Sequence, residues 1–328
     1  MIRIIMYILA ALFFLPSAGP AQMEFVRSLG PEIGKAKPVF QYQVSPYSKE
    51  EVEGQNTDFG VTQQGGFFLL PAFQGPSDEW SLLGAFRFQD IQTSAIFPDT
   101  GEVFPKSLWD IRLGTQYRHK FSNGWIGGGI LTLGSASDQP FKSEAEISIQ
   151  ATVFTRIPDS GRNAWLLFLN YSRYREFLPN VPIPGIAYWF EPSSELRLIV
   201  GIPFANLEWK AAPNLTAELS YFAVRNVRAQ LSYRILPDLQ LYGGFDWNNE
   251  HYFRYDRKDD DKRLSYYEKK VSAGIRWGFF RGFFLDLAGG YAFDRFYFEG
   301  ESYADRYENR LSIGNGFFGA LRLGASIL

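Results

Sequence analysis

The stretch VRAQLSYRILPDLQLYGGFDW, Val227 to Trp247, alternates apolar and polar residues on both sides of a single Pro-Asp pair. Val227, Ala229, Leu231, Tyr233 and Ile235 stand against Arg228, Gln230, Ser232 and Arg234. After Pro237-Asp238, Leu239, Leu241, Phe245 and Trp247 stand against Gln240 and Asp246. Successive strand residues point to opposite faces, so a period of two sustained through both arms predicts antiparallel strands joined by a tight turn. One face is apolar and aromatic; the other carries Arg, Gln and Asp.

The pattern recurs. WDIRLGTQYRHKF sets Trp109, Ile111, Leu113 and Tyr117 against Asp110, Arg112, Arg118 and Lys120. EAEISIQATVF sets Ile147, Ile149 and Val153 against Glu144, Glu146 and Gln150. ELRLIVG, LTAELSYFA, FFLDLAGGYAFDRF and FFGALRLGASIL do the same. No comparable stretch repeats at helical spacing, and the chain reads as all-β. Aromatic residues at 17% suit strands with extensive apolar surface. There is no cysteine, hence no disulfide framework or thiolate ligand, and a formal charge of −2 gives no electrostatic case for nucleic acid.

Residues 1–21 read as a secretory signal: Arg3, the apolar run Ile4 to Leu15, then Pro16 and a small-residue site with cleavage expected after Ala21. Residues 22–52 form an N-terminal segment in which VFQYQVS, from Val39, is a candidate first strand; the main domain spans 53–328.

Connections are of two kinds. Short ones hold Pro76-Ser77, Asn123-Gly124, Pro158-Asp159, Pro192-Ser193, Pro213-Asn214, Pro237-Asp238 and Arg281-Gly282, several of them suited to type I turns. Between them fall longer ones at 98–106, 138–143, 178–185, 256–263 and 300–308, with two tight exceptions near Pro203 and Asn226. Strands pairing up and down put every short turn at one end. Trp80, Trp125, Trp165, Trp189, Trp209 and Trp277 all lie near that end, as a membrane interface selects.

A soluble sandwich turns its apolar face inward; a transmembrane barrel turns it to lipid and lines its lumen with the polar face. The signal, the asymmetric connections and the Trp level favour a closed antiparallel transmembrane β-barrel, expected with 14 strands and at most 12–16. Closure satisfies every backbone group in hydrocarbon without a free edge.

The segment IPGIAYWFEPSSELRLIVGIPFANLEWKAAPNLTAELSYFAVRNVRAQLSYRI resembles an uncharacterised family of outer-membrane β-barrel proteins of Gram-negative bacteria. Its specific pieces are Pro184-Gly185-Ile186, Gly201-Ile202-Pro203-Phe204 and NVRAQLSYR, and the likeness extends over Glu53 to Leu328. It implies an outer-membrane location and barrel fold and supplies no activity or site residues. Such barrels usually end in an aromatic residue; this chain ends Ile327-Leu328.

Catalytic sets are sparse. His119 falls on the lipid-facing register and reads as interfacial. His251 lies near the outer loops within reach of Glu250, Asp256 and Ser265, where a solvated histidine is favoured over an Asp-His hydrolase. The loop RYDRKDDDKR, Arg254 to Arg263, mixes Asp256, Asp259, Asp260 and Asp261 with five cations and lacks the glycine and distal Glu of a calcium loop, so it reads as solvated, with lipopolysaccharide phosphates as contacts. Neither a metal nor a cofactor is expected. The glycines of GWIGGGILTLG read as strand-packing positions.

The lumen remains. Its candidate lining residues are Arg112, Arg118, Glu146, Arg197, Glu218, Arg228, Arg234, Asp246, Arg276, Asp286 and Arg322. They predict a passive pore or transporter for small solutes, with a non-conducting scaffold or surface-binding barrel as the alternative and an enzyme as the least favoured reading. Outer-membrane lipid, lipopolysaccharide and the barrel-assembly machinery are the expected partners.

Overall fold

The computed structural model describes residues 29–30, 32–175, 178–202, 204–222, 226–280 and 282–326. The expected signal segment, residues 1–21, and Ile327-Leu328 lie outside the described residues.

Among the described residues eighteen strands form one antiparallel sheet: β1 (Val39–Pro46), β2 (Glu50–Glu51), β3 (Asp58–Gln74), β4 (Asp78–Thr93), β5 (Ser107–Lys120), β6 (Ile126–Ser137), β7 (Ile147–Pro158), β8 (Ala164–Ser172), β9 (Ile183–Phe190), β10 (Leu196–Ile202), β11 (Phe204–Ala212), β12 (Leu215–Phe222), β13 (Asn226–Leu236), β14 (Leu239–Tyr252), β15 (Arg263–Phe279), β16 (Phe283–Gly300), β17 (Leu311–Ile313) and β18 (Gly316–Ser326). Sixteen of them make a closed ring, which β1 seals by pairing with both β18 and β3. The short β2 and β17 lie outside the ring sequence, on the margins of β3 and β16.

The strand total exceeds the expected 14 because two doubtful segments both pair. VFQYQVS is β1, with Val39 opposite Ser326 and Val44 opposite Leu321. The run from Ile186 to Lys210 does not merge: it holds β9, β10 and β11 as separate neighbours. The turns at 76–77, 123–124, 158–159, 192–193, 213–214 and 237–238 sit at one end, together with Val39 and Ser326, while β10–β11 and β12–β13 join tightly at the other. At the other end lie the long connections, and the wall from β14 to β16 rises well above that of β9 to β12.

Alternation translates into an inside and an outside. Leu231 is 52% exposed while its neighbour Gln230 is 8% exposed. Leu82, Leu113, Leu133, Val153, Leu169 and Val200 are likewise exposed apolar residues on the same outer surface. An apolar belt of this extent has no place in water, and in a bilayer it removes the cost of exposing it. Trp80, Trp125, Trp165, Trp209 and Trp277 lie on this surface near the short-turn end. Trp189 does not: it is buried inside, with its Nε1–H donating to Glu191 Oε2 at 2.9 Å and the Arg156 and Arg197 guanidiniums over its ring.

The parity of β16 breaks at Asp294. Lys269 pairs with Phe293, but Tyr267 pairs with Phe296, and Asp294 takes φ 54°. The extra residue is a β-bulge that flips the following side chains. Arg295 and Tyr297 thereby face inward, while Phe296 and Phe298 pack on the outer face with Tyr267 and Tyr303.

Candidate solute pathway in the barrel interior

Midway along the barrel the inward faces of β1, β3 to β5, β13 to β16 and β18 enclose a chamber of about 180 Å³. Its charged residues are arranged in pairs. Arg87 on β4 bridges Asp110 on the neighbouring β5 at 2.6 Å and Glu250 on the distant β14 at 2.7 Å. Arg112 grips the same Asp110 through Nε and Nη2, each at 2.8 Å. Lys270 meets Glu268 at 3.0 Å, and Arg276 meets Asp286 at 2.8 Å. Charges withdrawn from water persist only when paired and hydrogen-bonded, and the Arg87, Arg112, Lys270 and Arg276 pairs meet that requirement. The amides of Gln41, Gln43, Gln63 and Gln230 line the walls between them.

Toward the long-loop end the mouth of the barrel is filled. Phe59, Phe97, Phe104, Leu108, Tyr266 and Tyr297 belong to one buried apolar cluster, to which the connection between β4 and β5 contributes Phe97 and Phe104. Tyr47 and Tyr266 turn their hydroxyls onto Glu268 Oε2, donating at 3.1 and 2.8 Å. Opposite walls also touch. The Phe253 N–H donates to Ala136 O at 2.8 Å and the Asp138 N–H to Phe253 O at 3.2 Å, although β6 and β14 lie eight places apart in the ring of sixteen. The Asp138 carboxylate then accepts the Tyr255 N–H at 2.8 Å. Burial pushes the Asp138 carboxyl above its ordinary range.

Below the chamber the segment preceding β1 crosses the lumen. Arg118 Nη1 donates to Gly30 O at 3.1 Å and Nη2 to Glu32 O at 2.8 Å. Glu79 Oε2 accepts the N–H of Gly34 at 3.0 Å and of Ala36 at 3.4 Å. Leu29 is buried on the far side, in a cluster with Phe154, Leu166, Trp189 and Ile199. Gly34 is required here, because its φ is +73° and a Cβ would lie 2.5 Å from Gly75 O.

Of the candidate lining residues, Arg112, Arg228, Asp246 and Arg322 line the chamber, and Arg276 and Asp286 adjoin it. Arg118 serves the strap rather than the chamber. Arg197 lies against Glu191, Glu208 and Trp189. Glu218 is half-buried opposite Glu208 and Gln230, and Arg234 is exposed at the short-turn rim. Glu146 is not on a strand: Glu144–Glu146 is a short 3-10 turn, and the Glu146 carboxylate accepts from the Lys142 and Ser143 N–H groups. Its alternation with Ile147 and Ile149 stops because the strand begins only at Ile147. The sequence reading missed Arg87, Glu250 and Lys270, though Arg87 in AFRFQD carries the same alternating signature.

His119 packs edge-to-face against Phe121 and lies 2.7 Å from Asp78 on the outer surface. His251 sits on β14 rather than in a loop and contacts Ser265 at 2.8 Å and Asn249 at 3.3 Å. Glu250 points to Arg87, and Asp256 is engaged by Arg254. The loop after β14 is less solvated than its charge suggests. Arg254, Arg257 and Arg263 are tucked in, with Arg254 meeting Glu102, Asp256 and Glu299, while Asp259, Asp260 and Asp261 face water. Gly128 on β6 does allow close packing: a Cβ there would fall 2.7 Å from the Phe154 ring.

No family model matches the chain, and no curated protein matches it in sequence. The resemblance to one uncharacterised family therefore has no matching model behind it. Solved structures similar to it are outer-membrane barrels. The TodX monoaromatic hydrocarbon channel deltaS2 mutant aligns at 8% identity and TM-score 0.42, over 89% of this chain and 90% of that one. Pseudomonas aeruginosa OccK7 (OpdD) aligns at 9% and 0.39, over 89% and 98%. The beta domain of the Bordetella autotransporter BrkA aligns at 12% and 0.34, over 89% and 100%. Similarity this low assigns neither activity nor substrate to the chain.

Proposed function

We propose that the protein is an outer-membrane β-barrel channel of a Gram-negative bacterium that carries small polar solutes through the Arg87–Asp110–Glu250 chamber. The observation that supports this reading is a charged, amide-lined interior enclosed by an apolar, Trp-girdled exterior. The short turns then face the periplasm and the long loops the outside, among lipopolysaccharide, after export and insertion by the assembly machinery. The backbone contact between β6 and Phe253 favours a second reading, a non-conducting scaffold, because it narrows the outer mouth.

Two measurements test the proposal. Purified protein in planar bilayers is expected to conduct; a barrel that stays silent after removal of residues 29–36 supports the scaffold instead. A membrane-impermeant maleimide on intact cells is expected to label Asp260→Cys and to label Asp238→Cys only after permeabilisation. The reverse labelling overturns the topology.

A further inference from the structure

Asp110 and Glu250 pair with Arg87 and Arg112, and Glu268 pairs with Lys270 and faces Arg295 as well. That leaves Asp246 and Asp286 to three guanidiniums, those of Arg228, Arg276 and Arg322. Asp286 is already occupied: it accepts from Tyr242 at 2.5 Å and from Arg276 at 2.8 and 3.0 Å, and Arg322 reaches it only at 3.7 Å. Arg322 is instead held by a neutral partner, Gln43 Oε1, at 2.8 and 3.0 Å. Arg228 is held the same way by Gln230 Oε1 at 3.3 Å, with Asp246 at 3.9 Å. Both guanidiniums line the chamber, and their charges oppose one another. An orienting amide fixes a cation without neutralising it, so the pair presents positive charge to the cavity.

We propose that Arg228 and Arg322 form a binding site for a small monocarboxylate. The inference deepens the channel reading and names its solute class. Guanidinium forks match the two oxygens of a carboxylate. A cavity of about 180 Å³ limits the solute to a small molecule, and Phe67 and Phe318 on its wall accept an apolar body.

The test is benzoate binding by calorimetry to the refolded full-length barrel in detergent, its folding confirmed by heat-dependent gel migration. Benzoate is expected to bind, and its neutral isostere benzamide at least tenfold more weakly. Arg228→Gln and Arg322→Gln should each weaken benzoate at least tenfold, while Arg234→Gln at the exposed rim leaves it unchanged. Should a Gln variant fail to fold, Arg322→Lys keeps the charge, loses the fork and is expected to weaken benzoate several-fold. Benzamide or inorganic phosphate binding as tightly as benzoate overturns the assignment, as does unchanged affinity in the arginine variants. Conductance without benzoate binding overturns the site and leaves the channel; binding without conductance does the reverse.

Discussion

Glu79 and Arg118 are direct cross-strand partners on β4 and β5, joined at 2.6 Å, and both turn their remaining hydrogen-bonding capacity onto the backbone of residues 30–36. The pair is thus a clamp: its carboxylate takes N–H groups and its guanidinium takes carbonyls of the same crossing segment. Deleting residues 29–36 should raise unitary conductance at least twofold in planar bilayers. Arg118→Ala leaves Glu79 buried without its cation and should cost about 3–5 kcal/mol of stability, read by urea unfolding in lipid vesicles. Equal conductance with and without the segment would mean that it obstructs nothing.

Neighbouring residues on β13 should respond in opposite ways. Leu231→Arg sets a charge against lipid and should cost about 2–4 kcal/mol near the midplane. Gln230→Glu places a carboxylate beside Arg228 inside the chamber and should fold normally. Refolding yields into lipid vesicles compare them, and the opposite ranking would exchange inside for outside.

Among the tryptophans, Trp189 should behave alone. In single-Trp variants, lipids brominated on their acyl chains near the interface should quench Trp80, Trp209 and Trp277 and leave Trp189 bright, since only Trp189 of these is enclosed by the barrel. Quenching of Trp189 equal to that of Trp209 would place its ring on the outer surface.

The outer mouth should loosen as pH rises. Burial raises the folded-state pKa of Asp138 above its unfolded value, so its stabilising share is fully present below the unfolded pKa and is lost as pH climbs through the folded one. The protection factor of the Tyr255 amide, which donates to this carboxylate, should therefore fall between acidic and neutral pH. Asp138→Asn should flatten that dependence; a dependence unchanged in this variant would assign it to another group.

Much of the barrel was legible without coordinates because strand periodicity is local. Leu231 and Gln230 differ in face by adjacency alone, and Pro237-Asp238 turns the chain wherever the strands come to lie. The same reasoning found Arg112, Arg228 and Arg322. It failed where alternation was interrupted or shared. Glu144–Glu146 continues the pattern in letters and leaves it in space, and on β9 both faces are apolar, so Trp189 carried no sign of its direction.

By itself, then, the sequence determined the strands, the two kinds of turn and the apolar exterior, since each rests on residues close together in the chain. Ring closure by β1 with β18, the flip after Asp294, the Arg87–Glu250 bridge and the strap held by Glu79 and Arg118 were decided only by the tertiary structure. Each joins groups far apart in sequence or depends on one bulged residue. Their partners are set by ring size and register, which no run of adjacent residues encodes.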